Sequence, residues 1–224
     1  MMKKICMISF VLHFAAAGSG CASGNDKKAA EAAPAKVYMT RDISPAGMKA
    51  VYEALGRKAE GKKVAVKLST GEPGGNNFLQ PALIGDLVKS VKGTIVECNT
   101  AYGGGRAKTE DHLKAAADHG FTAKAIAAHC GERILYISVM NNLSVDCDCD
   151  AHPEPPRMGD IGILASLDPV ALDQACVDLV YASPDEGKVH LIERMESRHG
   201  IHTLEHAEAI GIGSRQYELV DLDK

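Results

Sequence analysis

The chain has 224 residues, a formal net charge of −4 and 46% hydrophobic residues, which is enough apolar material for one domain of ordinary size or two small ones. It contains no tryptophan and only 4% aromatic residues, so we expect its core to consist mainly of aliphatic side chains. Basic residues do not form a stripe with interleaved aromatics, and we therefore expect no nucleic-acid partner.

Residues 1–21 follow the pattern of a bacterial lipoprotein signal peptide. A positively charged start precedes an apolar run that is too short to span a bilayer, and small residues then lead to Cys21. Gly20 fits the pattern directly before the cysteine, whereas Gly18 stands where leucine is usual, so ordinary secretory cleavage remains an alternative. The sequence thus predicts an exported protein, periplasmic or at the cell surface, anchored in membrane lipid through Cys21, with residues 22–36 as a flexible tether.

The remaining residues, 37–224, have the pattern of a single α/β domain. The elements expected in chain order are a short first strand at 36–39, a helix at 46–56, strands at 62–69 and 93–99, helices at 81–89 and 108–119, a short helix at 123–129, strands at 133–139 and 160–166, helices at 170–181, 187–198 and 202–211, and a strand at 217–222. Ser44 before Pro45 and Asp168 before Pro169 are typical helix starts. Repeated strand–loop–helix units and nearly apolar strands predict a mainly parallel sheet with helices on both faces, a three-layer sandwich-like arrangement.

Ligands of open α/β sheets collect at loops that follow the carboxyl ends of strands. The first such loop is "STGEPGGNN", residues 69–77, preceded by Lys67 at the strand end and containing Glu72 as a pocket candidate. Its glycines allow backbone N–H groups to approach an anion closely, although the spacing is not that of a P-loop. A plain crossover loop is the alternative interpretation.

The second loop is "NTAYGGGR", residues 99–106, followed by His112 near the start of the next helix. Arg106 has the geometry to hold a carboxylate or phosphate with two hydrogen bonds. His112 is either part of a pocket or an ordinary surface group. The pocket candidates in and after this loop are Asn99, Thr100, Tyr102, Arg106 and His112.

The third loop, "VDCDCDAHPEPP", holds two cysteines and a histidine within a short span. Cys147 and Cys149 are two residues apart, so on an extended backbone both side chains lie on one face, opposite the intervening aspartates. Together with His152 they predict a three-ligand metal site, and thiolate and imidazole favour Zn or Fe. A redox-active thiol pair and two inert thiols are the alternatives. Three further carboxylates complete the set of pocket candidates: Asp160, Asp168 and Asp173.

Several segments resemble the domain of unknown function 362 family. They are "VKLSTGEPG", "ECNTAYGGGR", "HGF", "SVDCDCDAHPEPPRMGDIGILASLDPVALDQACVDLVY" and "ESRHGIHTLEHAEAIGIGSRQYELV". The resemblance implies an α/β domain of unassigned biochemistry, some of whose relatives carry inserted ferredoxin-type clusters. This chain resembles a shortened member, because the long middle segment that follows Phe121 in the family is absent. We therefore expect no ferredoxin-type iron–sulfur cluster from this chain.

Three functions follow from these patterns, and they leave open whether the protein is an enzyme and what its oligomeric state is. The first is metal binding through the cysteine loop, with redox or metal-dependent activity. The second is a non-catalytic lipoprotein module that binds a small anionic ligand. The third is a thiol redox protein that uses Cys147 and Cys149.

Overall fold

A computed structural model describes the backbone of residues 13–16 and, with their side chains, residues 33–59, 64–75, 77–97, 105–121, 134–146 and 152–224 (the side chain of residue 109 excepted). Within these ranges the elements are β1 (His13–Ala16), β2 (Ala35–Thr40), α1 (Pro45–Ala54), β3 (Val64–Lys67), α2 (Pro81–Ser90), β4 (Gly93–Val96), α3 (Thr109–Asp118), β5 (Tyr136–Met140), β6 (Gly162–Ser166), α4 (Pro169–Ala182), α5 (Lys188–Ser197), α6 (Gly200–Ala209) and β7 (Tyr217–Asp221). No helix among the described residues has the length and apolar character needed to cross a membrane.

The described strands form two sheets, in the orders β1-β3-β4 and β5-β6-β2-β7. Only the pairs β3–β4 and β2–β7 are parallel, whereas β1–β3, β2–β6 and β5–β6 are antiparallel. The α/β class is confirmed, but the expectation of a mainly parallel sheet is not. One reason is the connection from β5 to β6. Parallel neighbours in a sheet need a crossover connection, usually a helix, and the described part of this connection contains no helix.

Apolar side chains cover both faces of the four-stranded sheet. Val37, Met39 and Leu164 are buried in a cluster with α4, whereas Ile137 and Ile163 are buried on the other side in a cluster with α1 and α2. This division follows from the alternation of side chains along a strand. The core is largely aliphatic, as the composition predicted, and helices lie on both faces of this sheet.

Two helices begin where the sequence places their start. Ser44 Oγ accepts hydrogen bonds from the backbone N–H groups of Ala46 and Gly47 at the start of α1. Asp168 Oδ1 does the same for Val170 and Ala171 at the start of α4. Each helix has proline in its first turn, where the backbone N–H that proline lacks would make no hydrogen bond within the helix.

The boundaries differ from the expected ones by a few residues at most places. Strands β3 and β4 are shorter than expected and end at Lys67 and Val96, so that the residues after them belong to loops. The last helix begins at Gly200, two residues before the expected start. The helix expected at 123–129 lies outside the described residues.

Candidate functional site

The first two candidate loops follow the carboxyl ends of two neighbouring strands. Strands β3 and β4 are parallel neighbours, with Lys67 opposite Val96 in the register. The chain after β3 therefore lies beside the chain after β4. This places Ser69 and Thr70 next to Glu97. Ligands of α/β sheets bind at these carboxyl ends of the strands.

A buried guanidinium joins the two loops. Arg106 Nε lies 2.8 Å from Glu72 Oε2, and Arg106 Nη1 lies 2.8 Å from Glu97 Oε1. The Arg106 side chain is 3% exposed, and the two carboxylates are nearly as deep. Ser69 Oγ accepts a further bond from Nη1 at 3.2 Å, and the backbone N–H of Gly105 donates to Glu72. Because a buried charge is costly unless it is paired, this network fixes the two loops to each other.

The second oxygen of Glu97 is the meeting point of three donors. Thr70 donates to it from its backbone N–H at 2.9 Å and from its hydroxyl at 2.8 Å. His112 Nε2 lies 3.0 Å from the same oxygen and, since a carboxylate only accepts, carries the proton of this bond. Glu97 was not among the residues predicted from the sequence. The feature that could have identified it is a carboxylate directly after an apolar strand, where the other candidates also lie.

Thr70, His112 and Glu97 do not form a nucleophile–base–acid relay. The Thr70 hydroxyl lies 3.5 Å from His112 Nε2, the same nitrogen that bonds Glu97. A relay of the serine-protease kind uses the two opposite nitrogens of the imidazole. The arrangement positions the loops rather than activating the threonine.

A second histidine closes the first loop onto the end of α3. His119 Nδ1 lies 2.7 Å from the carbonyl oxygen of Thr70 and donates to it. The His119 ring stacks on Phe78, with ring centroids 4.1 Å apart and an interplanar angle of 11°. Phe78 in turn meets Phe121 edge to face. The loop between β3 and α2 is therefore held at both ends.

The first loop also reaches the stretch that leads into the cysteines. The buried Asn77 amide donates to the carbonyl oxygen of Asp146 at 3.4 Å and accepts a bond from the Asn142 side chain. The backbone N–H of Asn142 donates to Asp160 Oδ1 at 2.7 Å. Since Asp146 immediately precedes Cys147, the first and third loops meet at Asn77.

The neck of the cysteine loop is closed by hydrogen bonds. Ser144 Oγ donates to the carbonyl oxygen of Glu154 at 2.7 Å, and the backbone N–H of Glu154 donates to Asp146 Oδ2 at 2.9 Å. On the α5 side, Arg194 lies 3.7 Å from Asp146 and His190 lies 4.0 Å from Glu154. Asp146 and Glu154, on either side of the cysteine loop, are thus held together.

The structure places the other candidates as follows. Lys67 and His152 are exposed, the latter next to the neck of the cysteine loop. Asp168 caps α4 and also accepts a hydrogen bond from Ser214 N at 2.9 Å, a structural role. Asp173 lies half-buried on α4. Six candidates lie outside the described residues: Cys21, Asn99, Thr100, Tyr102, Cys147 and Cys149.

Among the described residues, no group of three or more His, Cys, Asp or Glu side chains is placed to hold a metal ion. Cys176 on α4 is a free, buried thiol. Burial raises the pKa of this thiol, and the negative charge of Asp173 raises it further. Cys176 is therefore protonated at neutral pH and poorly suited to be a nucleophile or a ligand.

The comparison with protein families matches the segment of the chain that contains the cysteine loop. Residues 122–178 match the family described as Domain of unknown function (DUF362). This part of the chain is similar to that family, and the match confirms the resemblance seen in "SVDCDCDAHPEPPRMGDIGILASLDPVALDQACVD". It runs through the cysteine loop, β6 and most of α4. No curated protein and no solved structure matches the chain.

Proposed function

We propose that this protein binds one divalent metal ion, Zn or Fe, through Cys147, Cys149 and His152, beside the junction of the three loops. Two thiolates and an imidazole are a ligand set that both metals accept. The observation that carries the proposal is the closed neck formed by Ser144, Asp146 and Glu154.

The closed neck limits where the ligands can lie. An extended chain spans at most about 3.5 Å per residue, so no residue of 147–153 lies more than roughly 14 Å from the neck. The alternation of side chains in a Cys-x-Cys segment adds that both thiols can face the same side. His152 is next to the neck itself and follows Cys149 by three residues, a separation short enough for it to share a metal with the two thiolates.

The surroundings are those of a rigid site. The first loop is fixed by the Arg106 network and by His119, and Asn77 extends this fixed surface to Asp146. A metal bound next to it would act as a Lewis acid or as an electron carrier. Two thiols at this spacing do not provide the ligands of a ferredoxin-type cluster, and we propose none.

Metal analysis of the purified chain, prepared without a metal-affinity tag, tests the proposal. We expect about one Zn or Fe per chain, lost in the double variant Cys147→Ser/Cys149→Ser and kept in the matched control Cys176→Ala. Absence of stoichiometric metal, or its retention in the double variant, would show that the loop is not a metal site. Thiol titration of the metal-free chain before and after reduction then examines the redox alternative, which requires two thiols to appear on reduction.

Binding of a small anion by Arg106 is the weaker candidate. The guanidinium already donates to Glu72 and Glu97, and the Arg106 side chain is only 3% exposed. An anion would have to displace a carboxylate from a buried ion pair. A thermal-shift screen with phosphates and carboxylates is the test, and a shift that disappears in Arg106→Lys would favour this candidate.

Export and lipid anchoring complete the proposal, and they rest on the N-terminal sequence alone. We infer that Cys21 carries the lipid and that residues 22–36 hold the domain away from the membrane. Fractionation of cells that produce the unsubstituted chain or Cys21→Ser is the test. The substituted chain should leave the membrane fraction, and equal membrane association of both would overturn the inference.

A further inference from the structure

A short strand from the predicted signal segment forms one edge of the three-stranded sheet. β1 pairs antiparallel with β3, with His13 opposite Lys67 and Ala16 opposite Val64. β3 has β4 on its other side, and β5 is the outer strand of the four-stranded sheet. The backbone of β1 also approaches that of β5 within 8 Å. β1 therefore covers the edge of β3 and lies close to β5.

The edge of β3 needs such a cover. Val64 and Val66 are 3% and 0% exposed, so the strand is part of the core and not a surface ribbon. Alternate N–H groups of a strand point to opposite sides, so two of the four in β3 face β1 and two face β4. Without a neighbour on the β1 side, these groups and the matching carbonyls would be an open template for another chain.

We propose that the edge of β3 is a strand-binding surface and that its occupant is residues 13–16 of the same chain. The pairing covers every residue of β3, from Val64 to Lys67, in one continuous register. Residues 17–34 can span up to about 60 Å, which lets the segment reach this edge from the start of β2. Because the segment is tethered to its own domain, its effective concentration exceeds that of a strand from another molecule.

The pairing gives the N-terminal segment two exclusive states. In the unprocessed chain it is an outer strand of the first sheet. The second state rests on the proposed export: cleavage near Cys21 would separate the segment from β3 and leave the edge of β3 uncovered. This inference does not depend on metal binding, and its test leaves the cysteine loop untouched.

Amide hydrogen exchange of the full, unprocessed chain tests the proposal. We compare the unsubstituted chain with Phe14→Pro/Ala15→Pro, which removes both central N–H groups of the segment, and with Ala29→Pro as a matched control in the tether. Two alternate amides of Val64–Lys67 should exchange at least about tenfold faster in the double variant and at an unchanged rate in the control. Amides of β6 report whether each variant is folded.

The unsubstituted chain offers a measurement that needs no variant. In an antiparallel pair, successive residues alternate between positions that are hydrogen-bonded to the partner strand and positions that are not. Either Phe14 or Ala15 must therefore have an amide that is protected from exchange. If residues 13–16 all exchange at the rate of an unstructured chain, the proposal is wrong. It is also wrong if protection of β3 increases with protein concentration, because the covering strand would then come from a second copy.

Discussion

Removal of the Arg106 guanidinium should destabilise the fold strongly. The substitution Arg106→Met keeps most of the volume of the side chain and deletes its charge. It leaves the carboxylates of Glu72 and Glu97 facing each other without the cation that bridges them. Neither carboxylate has much access to water, since their side chains are 9% and 11% exposed.

The expected cost follows from the loss of one partner in a buried ionic network. Breaking a buried pair in this way costs about 3–5 kcal/mol, because the remaining charge stays in a poorly solvated place. The second prediction of the same reasoning concerns the triple variant Arg106→Met/Glu72→Gln/Glu97→Gln. It removes the unpaired charges as well, so most of the lost stability should return.

Urea unfolding followed by circular dichroism measures both effects. With a urea dependence of about 2 kcal/mol per molar, the midpoint of Arg106→Met should fall by roughly 1.5–2.5 M. Lys114→Met provides the control: Lys114 lies 2.5 Å from Asp118, but both side chains are exposed, and a surface pair contributes at most about 1 kcal/mol. All samples contain a chelator, so that a bound metal does not contribute to the midpoint.

Two results would refute the reasoning. The first is a midpoint of Arg106→Met within about 0.5 M of that of the unsubstituted chain, which would mean that water solvates the carboxylates. The second is a triple variant as unstable as the single one. In that case the cost would come from lost packing of the arginine stem and not from unpaired charge.

Three further predictions concern the cysteine loop, a helix cap and the response to acid. Asn77→Ala should weaken metal binding about tenfold in a competition titration, because it frees the Asp146 carbonyl from the first loop. Asp168→Ala should lower the free energy of unfolding by about 1–2 kcal/mol, since it removes the acceptor of the first N–H groups of α4. A hydrogen bond from Thr40 lowers the pKa of Asp223 below its ordinary value of 3.8, so this carboxylate stabilises the fold above that pH and less as the pH falls through the lowered pKa. Asp223→Asn should therefore lower the thermal midpoint at pH 7 and have a much smaller effect at pH 2.

The first two of these predictions have control variants, and the third is controlled by the comparison of the two pH values. Gln80→Ala changes an exposed amide beside the same loop and should leave metal affinity unchanged. Asp86→Ala removes an exposed helical carboxylate and should cost less than about 0.5 kcal/mol. The first prediction is wrong if Asn77→Ala leaves metal affinity unchanged. The second is wrong if Asp168→Ala is as stable as Asp86→Ala, and the third is wrong if Asp223→Asn changes the thermal midpoint equally at both pH values.

Local features of the fold were predictable because their causes lie within a few residues. Ser44 and Asp168 accept hydrogen bonds from residues two and three positions later, and this is visible in the sequence as a cap followed by proline. The loop after β3 was placed correctly, because an apolar strand followed by glycines and polar residues has a characteristic pattern. Arg106 and His112 were named as candidates for the same reason.

The arrangement of the strands was not predictable in this way. β2 has β6 and β7 as its neighbours, and both come from the far end of the chain. A single sequence gives the period of each strand but not its partner, so the antiparallel pairs escaped prediction. The role of β1 was hidden for a similar reason, since the segment has the composition of a signal peptide and its partner strand lies far along the chain.

The sequence by itself determined the α/β class, the helix starts, the polar loops and the family resemblance that residues 122–178 confirm. Only the tertiary structure decided what Arg106 does. The sequence made it a candidate to bind a carboxylate or phosphate of a ligand, whereas in the fold it is paired with Glu72 and Glu97. The reason is that burial makes an unpaired charge costly, and which carboxylates supply the pair depends on strands that come together only when the chain folds.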